Sequence, residues 1–120
     1  MVLENCADIG IGLGIANKEL KERLDHDCNL ALKKWGNDIQ LDLLLEELSG
    51  LIKAILELKR EKNTKGLYEI SDETWIAVEE AMIDVLIRIR QLAIMNGYDC
   101  VLDDMVDNKL DQLETRLLKS

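Results

Sequence analysis

Acidic side chains stand in pairs within two apolar stretches of the chain. Glu46 and Glu47 are adjacent, and Glu80 and Asp84 lie four positions apart further on. Residues four apart share one face of an α-helix. A buried carboxylate is costly unless it is paired or bound to a metal, and its oxygens suit Mg²⁺ or Mn²⁺. Facing helices that carry Glu47 and Asp84 would therefore form a cation site. Alternatively, these acids border the apolar face and reach water, as most acidic residues do.

Four α-helices are predicted to position these acids, because apolar residues recur every three or four positions through most of the chain. The chain contains no proline and no phenylalanine, and its aliphatic composition suits helices packed on helices. The expected spans are residues 17–34, residues 38–61, Ser71 or Asp72 to Asn96–Gly97, and residues 99–118. The predicted fold class is all-α, an antiparallel helical bundle of about four helices.

Residues that commonly cap or end helices mark the boundaries of these spans. Asn17 is expected to cap the first helix, and Gly36 is expected to follow its end. Asn63, Thr64 and Gly66 indicate the connection between the second and third helices. The second helix is apolar on more than one face, so we expect it to lie in a subunit interface of a dimer or tetramer.

Composition excludes several classes of function. The chain has 120 residues, enough for one domain, and a net charge of −9, which disfavours nucleic-acid binding. Its three cysteines (Cys6, Cys28 and Cys100) and its one histidine, His26, lack the spacing of a zinc site. Reduced thiols indicate a cytoplasmic protein. Charges interrupt the longest apolar runs, so no membrane span is expected. Residues 1–15 lack a basic n-region and a normal h-region, so no signal peptide is expected.

Residues 1–15 differ from the rest of the chain. Gly10, Gly12 and Gly14 alternate with aliphatic residues, a spacing that departs from the dinucleotide-binding fingerprint. We interpret residues 1–15 as an apolar, glycine-containing arm and residues 16–120 as the helical domain.

Several sequence features together resemble the MazG-type nucleotide pyrophosphohydrolases. These features are the Trp35–Gly36 pair, Gln40, the segment E-E-L-S-G-L-I-K-A-I from Glu46, and the segment E-E-A-M-I-D-V-L-I from Glu79. The resemblance implies an all-α enzyme that uses Mg²⁺ or Mn²⁺ to cleave a nucleoside triphosphate into a monophosphate and pyrophosphate. It covers roughly residues 20–118.

The resemblance also implies roles for individual residues. Glu47 and Asp84 would be catalytic, and Glu46 and Glu80 would join them around the metal. The positions implied for binding the rest of the nucleotide are Lys109 and Arg116 at the phosphates, and Trp35 and Gln40 at the pocket.

Two positions depart from the family pattern. Gly50 and Ala81 stand where the two motifs carry glutamates, so half of the four-carboxylate cluster is missing. Weakened metal affinity, and weak or lost activity, would follow. One residue of shift in the match would instead let Glu80 take the missing role. The competing functions are a non-catalytic nucleotide-binding or regulatory oligomer and a purely structural bundle.

Overall fold

The computed structural model describes residues 17–97 and 102–119, and within these ranges the chain is all-α. Within these two ranges four helices follow one another, with a short 3₁₀ turn at Leu67–Glu69 between the second and the third. The helices are α1 (Lys18–Trp35), α2 (Asn37–Lys65), α3 (Asp72–Asn96) and α4 (Leu102–Lys119). The predicted all-α class is confirmed, and each of the four predicted helices has a counterpart in the structure. The arm predicted at residues 1–15 lies outside the described residues.

Three of the predicted helix ends agree with the structure. Asn17 caps α1, because its side-chain oxygen accepts a 3.0 Å hydrogen bond from the amide of Leu20. Ser71, the first of the two residues proposed for the start of α3, accepts a bond from the amide of Thr74. Gly97 ends α3 in the left-handed conformation, with φ of 67°. Side-chain capping and glycine therefore set these boundaries, as the sequence predicts.

The predicted end of α2 at residue 61 is wrong, because the helix continues to Lys65. Lysine, arginine and glutamate are good helix formers, so the charged run extends the helix. The Thr64 hydroxyl donates to the carbonyl of Arg60 instead of opening a turn. The helix stops at Gly66, where φ is +94° and the amide donates a 2.8 Å bond to the carbonyl of Lys62. Only glycine adopts such a φ at little cost.

The core is formed where α2 runs antiparallel to α3 and α1 lies against the C-terminal half of α3. Glu61 near the end of α2 bonds to Thr74 near the start of α3, whereas Glu47 bonds to Arg88. On α1, Asp25 pairs with Arg90 of α3. The buried apolar side chains of the described residues are Cys28, Leu44, Ile70, Val78 and Val85. A small aliphatic core therefore lies between these polar pairs.

Helix α4 makes no contact with α1, α2 or α3 among the described residues, and its described side chains are all exposed. Large apolar residues of α2 are also exposed, including Leu45, Ile52 and Leu56. The sequence predicts that α2 is apolar on more than one face, and part of that apolar surface is exposed in the single chain. Within the described ranges, no helix is both long enough and apolar enough to cross a membrane.

Candidate functional site

Arg88 of α3 joins three polar side chains at the interface with α2. Its Nε donates to Oε2 of Glu47 at 3.2 Å, and its Nη1 donates to Oε1 of Gln40 at 2.6 Å and to Oε1 of Gln91 at 2.9 Å. The Arg88 and Glu47 side chains are 20% and 24% exposed, so this charge pair is mostly withdrawn from water. We call these four residues the Arg88 network. It links the predicted catalytic acid Glu47 to the predicted pocket residue Gln40.

The Arg88 network fixes the orientation of the Gln40 amide. A guanidinium group can only donate, so the side-chain oxygen of Gln40 must face Arg88. The amide nitrogen then points elsewhere, and it is buried without a hydrogen-bond partner among the described residues. Leaving such a donor unpaired costs on the order of 1–3 kcal/mol. Gln40 itself is only 2% exposed, so the site contains a buried donor that no other described residue uses.

An apolar cavity of about 390 Å³ adjoins this network between α1 and α3. Its lining includes Leu24, Cys28, Trp35, Ile87 and Gln91. Gln91 belongs to both features, since its side chain accepts a bond from Arg88. Trp35 is half-exposed, with the Lys34 ammonium 5.4 Å from its ring centre. The volume lies within the range of small-molecule pockets. Gln91 and Arg88 therefore connect the cavity that Trp35 lines to Gln40.

The predicted metal ligands are not equivalent in the structure. Glu47 is half-buried and paired with Arg88, whereas Glu46, Glu80 and Asp84 are exposed. Asp84 and Arg88 are four apart on α3 and share a face. Within the part of the chain that the structure describes, no group of three or more His, Cys, Asp or Glu residues is placed to hold a metal ion.

The remaining predicted positions, Lys109, Arg116, Gly50 and Ala81, make no bond within the Arg88 network. Lys109 and Arg116 lie on α4, which has no described contact with α2 or α3. A Cβ added at Gly50 would meet nothing within 4 Å. Ala81 is half-buried on α3. The helix surface near the acids is therefore open at Gly50, where the family pattern has a carboxylate.

Asp25 and Arg90 form a buried ion pair that the sequence analysis missed. Arg90 is 4% exposed and donates two bonds to Asp25, at 2.7 and 3.0 Å. Beside it, Cys28 is a buried free thiol. Burial, aided by the negative charge of Asp25, raises the pKa of Cys28 to about 11. Burial and the raised pKa both disfavour the thiolate, which is the reactive form of cysteine.

Glu61 is a second buried acid that the sequence analysis missed. It is 4% exposed, and its carboxylate accepts hydrogen bonds from the amide of Ser71, at 2.8 Å, and from the hydroxyl of Thr74. The hydrogen bonds from Thr74 and Ser71 lower the pKa of Glu61 to about 2. The carboxylate satisfies donors at the start of α3, and it therefore fixes where α3 begins relative to the end of α2. A glutamate within a run of basic residues was the only available signal.

Comparisons of the chain with protein-family models, with curated proteins and with solved structures find no match.

Proposed function

We propose that the α2–α3 surface binds a nucleoside triphosphate together with Mg²⁺ or Mn²⁺, and that the protein cleaves it slowly to a monophosphate and pyrophosphate. The observation that carries this proposal is the Arg88 network. It places a predicted catalytic carboxylate, a predicted pocket amide and a cationic side chain in one cluster. The MazG-type resemblance supplies the reaction class.

The apolar cavity is the proposed site of the nucleobase. It is large enough for a flat ring system, and Trp35 offers a stacking surface on its wall. Gln40 Nε2 and Arg88 Nη2 have no hydrogen bond to another described residue, so both can donate to acceptor atoms of the nucleotide. Both belong to the network that Gln91 connects to the cavity.

Glu47 and Asp84 are the proposed holders of the metal ion. Two carboxylates fit Mg²⁺ when substrate phosphates supply further oxygens, which is its usual mode of binding. Glu47 bonds Arg88 through Oε2, and its Oε1 has no hydrogen bond among the described residues. The ion would stabilise charge on the phosphates and activate the attacking water. Arg88 would hold Glu47 in position.

Gly50 and Ala81 are the reason that we propose slow turnover. Neither has a side-chain oxygen, so the metal would have fewer carboxylate ligands than the family pattern provides. Glu46 and Glu80 are exposed neighbours that can contribute only from the rim of the site. Lys109 and Arg116 would reach the phosphates only from an α4 placed against this surface, for example that of another subunit.

The second candidate is nucleotide binding without turnover, in a regulatory oligomer. The Glu47–Arg88 ion pair favours it, because a guanidinium already neutralises the acid that a metal would require. In this case Arg88 would bind phosphate directly, as guanidinium groups commonly do.

We further propose that the antiparallel bundle is completed in a dimer or tetramer. The exposed aliphatic residues of α2 support this proposal, since isolated chains rarely leave so much apolar surface in water. A cytoplasmic location is proposed from the free thiol of Cys28.

The proposal is tested by incubating the protein with each NTP and dNTP and with Mg²⁺ or Mn²⁺, and by measuring pyrophosphate and orthophosphate separately. Metal-dependent pyrophosphate release that Glu47→Gln abolishes supports the enzyme. The matched control is Glu57→Gln, which alters an exposed acid of the same helix.

Calorimetric titration with non-hydrolysable triphosphates covers the second candidate. Saturable binding without pyrophosphate release supports the regulatory role. The absence of both binding and release would contradict each nucleotide proposal.

A further inference from the structure

Helix α4 carries an apolar stripe that no other described residue covers. The stripe consists of Val106, Leu110, Leu113 and Leu117, spaced by four, three and four residues. Each of these side chains is between 45% and 65% exposed. Alternating steps of three and four are typical of the apolar seam of a two-stranded coiled coil. In its seven-residue repeat, Leu110 and Leu117 would take the a positions and Val106 and Leu113 the d positions.

The residues that flank the stripe differ in charge between its two sides. Asp107 and Glu114 occupy the e positions, whereas Lys109 and Arg116 occupy the g positions. In a parallel coiled coil, a g residue faces the following e residue of the other helix. Lys109 would therefore face Glu114 of the second copy, and two-fold symmetry would repeat that pair.

An antiparallel pair would bring like charges together. Its g positions face g positions and its e positions face e positions, so Lys109 would meet basic side chains and Glu114 would meet acidic ones. The charge pattern thus complements itself only when two α4 helices run in the same direction.

We propose that α4 pairs in register and in parallel with α4 of a second copy of this chain. The four stripe residues form the seam, and Lys109 contacts Glu114 across it. The pairing is argued from α4 alone and not from the proposed nucleotide site, and in it Lys109 contacts Glu114 instead of a phosphate. It assigns a subunit contact to α4, whereas the exposed residues of α2 would form a different one. So short a helix is marginal alone, so the pairing belongs to the full chain.

Sedimentation equilibrium of the full chain at low salt tests the direction of pairing. Lys109→Glu would place a carboxylate opposite Glu114 of the second copy, and we expect a roughly tenfold weaker association from the two affected pairs. Lys109→Glu combined with Glu114→Lys should restore it. An antiparallel pair predicts the opposite sign, since the new acid would then face basic residues. The matched control is Lys119→Glu, the same charge change at an outward c position, with no effect expected.

Thiol cross-linking tests the register in a background with Cys6→Ser and Cys100→Ser. Leu113→Cys should cross-link efficiently with a short bifunctional maleimide, because the same position meets itself in a parallel seam. Asn108→Cys, at an outward f position, should not. Cys28 remains in place because it is buried.

Three results would overturn the proposal. The first is a monomeric mass for the wild type, which is expected if α4 folds onto its own chain. The second is a stronger association of Lys109→Glu than of the wild type. The third is equal cross-linking at positions 108 and 113. These variants should not prevent folding of α1–α3, because the described part of α4 has no contact with those helices.

Discussion

Arg88 Nε lies 3.2 Å from Oε2 of Glu47, and the two residues come from different helices. The same guanidinium also bonds Gln40 and Gln91, so one side chain holds together one of the polar clusters at the α2–α3 interface. Any ligand of Glu47 must either share this carboxylate with Arg88 or displace it.

Arg88→Met should therefore destabilise the protein. The replacement keeps an apolar stem but leaves the oxygens of Gln40 and Gln91 without a donor, and we expect a loss of about 2 kcal/mol in the free energy of unfolding. Urea denaturation measures it. Arg23→Met removes a long, exposed 4.0 Å ion pair on α1 and should cost no more than about 0.5 kcal/mol. Equal effects of the two changes would show that the Arg88 network contributes nothing specific.

Asp25→Asn should remove the negative charge that Asp25 places against the buried guanidinium of Arg90. Removing one member of a buried pair is strongly destabilising, and the 29% exposure of Asp25 places the expected loss at about 2–3 kcal/mol. Asp27→Asn is the matched control, since Asp27 lies two residues away and is exposed. Guanidinium denaturation of both variants checks the prediction. A change at Asp25 no larger than that at Asp27 would contradict it.

Glu61 should make the free energy of unfolding fall in acid. Its pKa is about 2 in the folded chain, against an ordinary value of 4.5, so the unfolded chain binds the extra proton between these values. The stabilisation is thus complete above pH 4.5 and is lost as the pH falls towards 2. Melting temperatures across this range should fall less steeply for Glu61→Gln than for the wild type. Glu22→Gln, an exposed substitution on α1, should retain the wild-type slope.

The helices could be predicted because their capping residues and apolar spacing are local signals. Asn17, Ser71 and Gly97 act within one turn of their own position. Arg88, Arg90 and Glu61 could not be assigned from spacing, because a charged residue at the edge of an apolar face can turn inward or outward. Only the partner on another helix decides between these orientations. Asp25 turns inward because Arg90 lies opposite it on α3.

The predicted carboxylate site was open to the same ambiguity. Glu47 turns towards α3 because Arg88 is there, whereas its neighbour Glu46 faces solvent. Adjacent helical residues differ by about 100°, so only one member of the pair can face α3 directly. A metal site forms only when several carboxylate side chains point towards one another. The periodicity of the sequence does not predict those orientations.

Gly50→Glu combined with Ala81→Glu should create the two acids that the family pattern contains. A side chain at Gly50 has open space, and glutamate is the better helix former by about 0.5–1 kcal/mol. With four acids on two adjacent helices, Mg²⁺ should raise the melting temperature of the double variant more than that of the wild type. Pyrophosphate release should increase by orders of magnitude. Adding Asp84→Asn should remove both gains. An identical Mg²⁺ response in wild type and double variant would contradict the assigned roles of Gly50 and Ala81.

The most direct test of the nucleotide proposal is the rate of pyrophosphate release by the wild-type protein with Mn²⁺, compared with that of Asp84→Asn. Asp84 is exposed, so its replacement should leave the fold intact and report on chemistry alone. We predict a slow, metal-dependent rate in the wild type that falls at least tenfold in Asp84→Asn. Equal rates in the two proteins, or no release and no nucleotide binding by the wild type, would contradict the proposal.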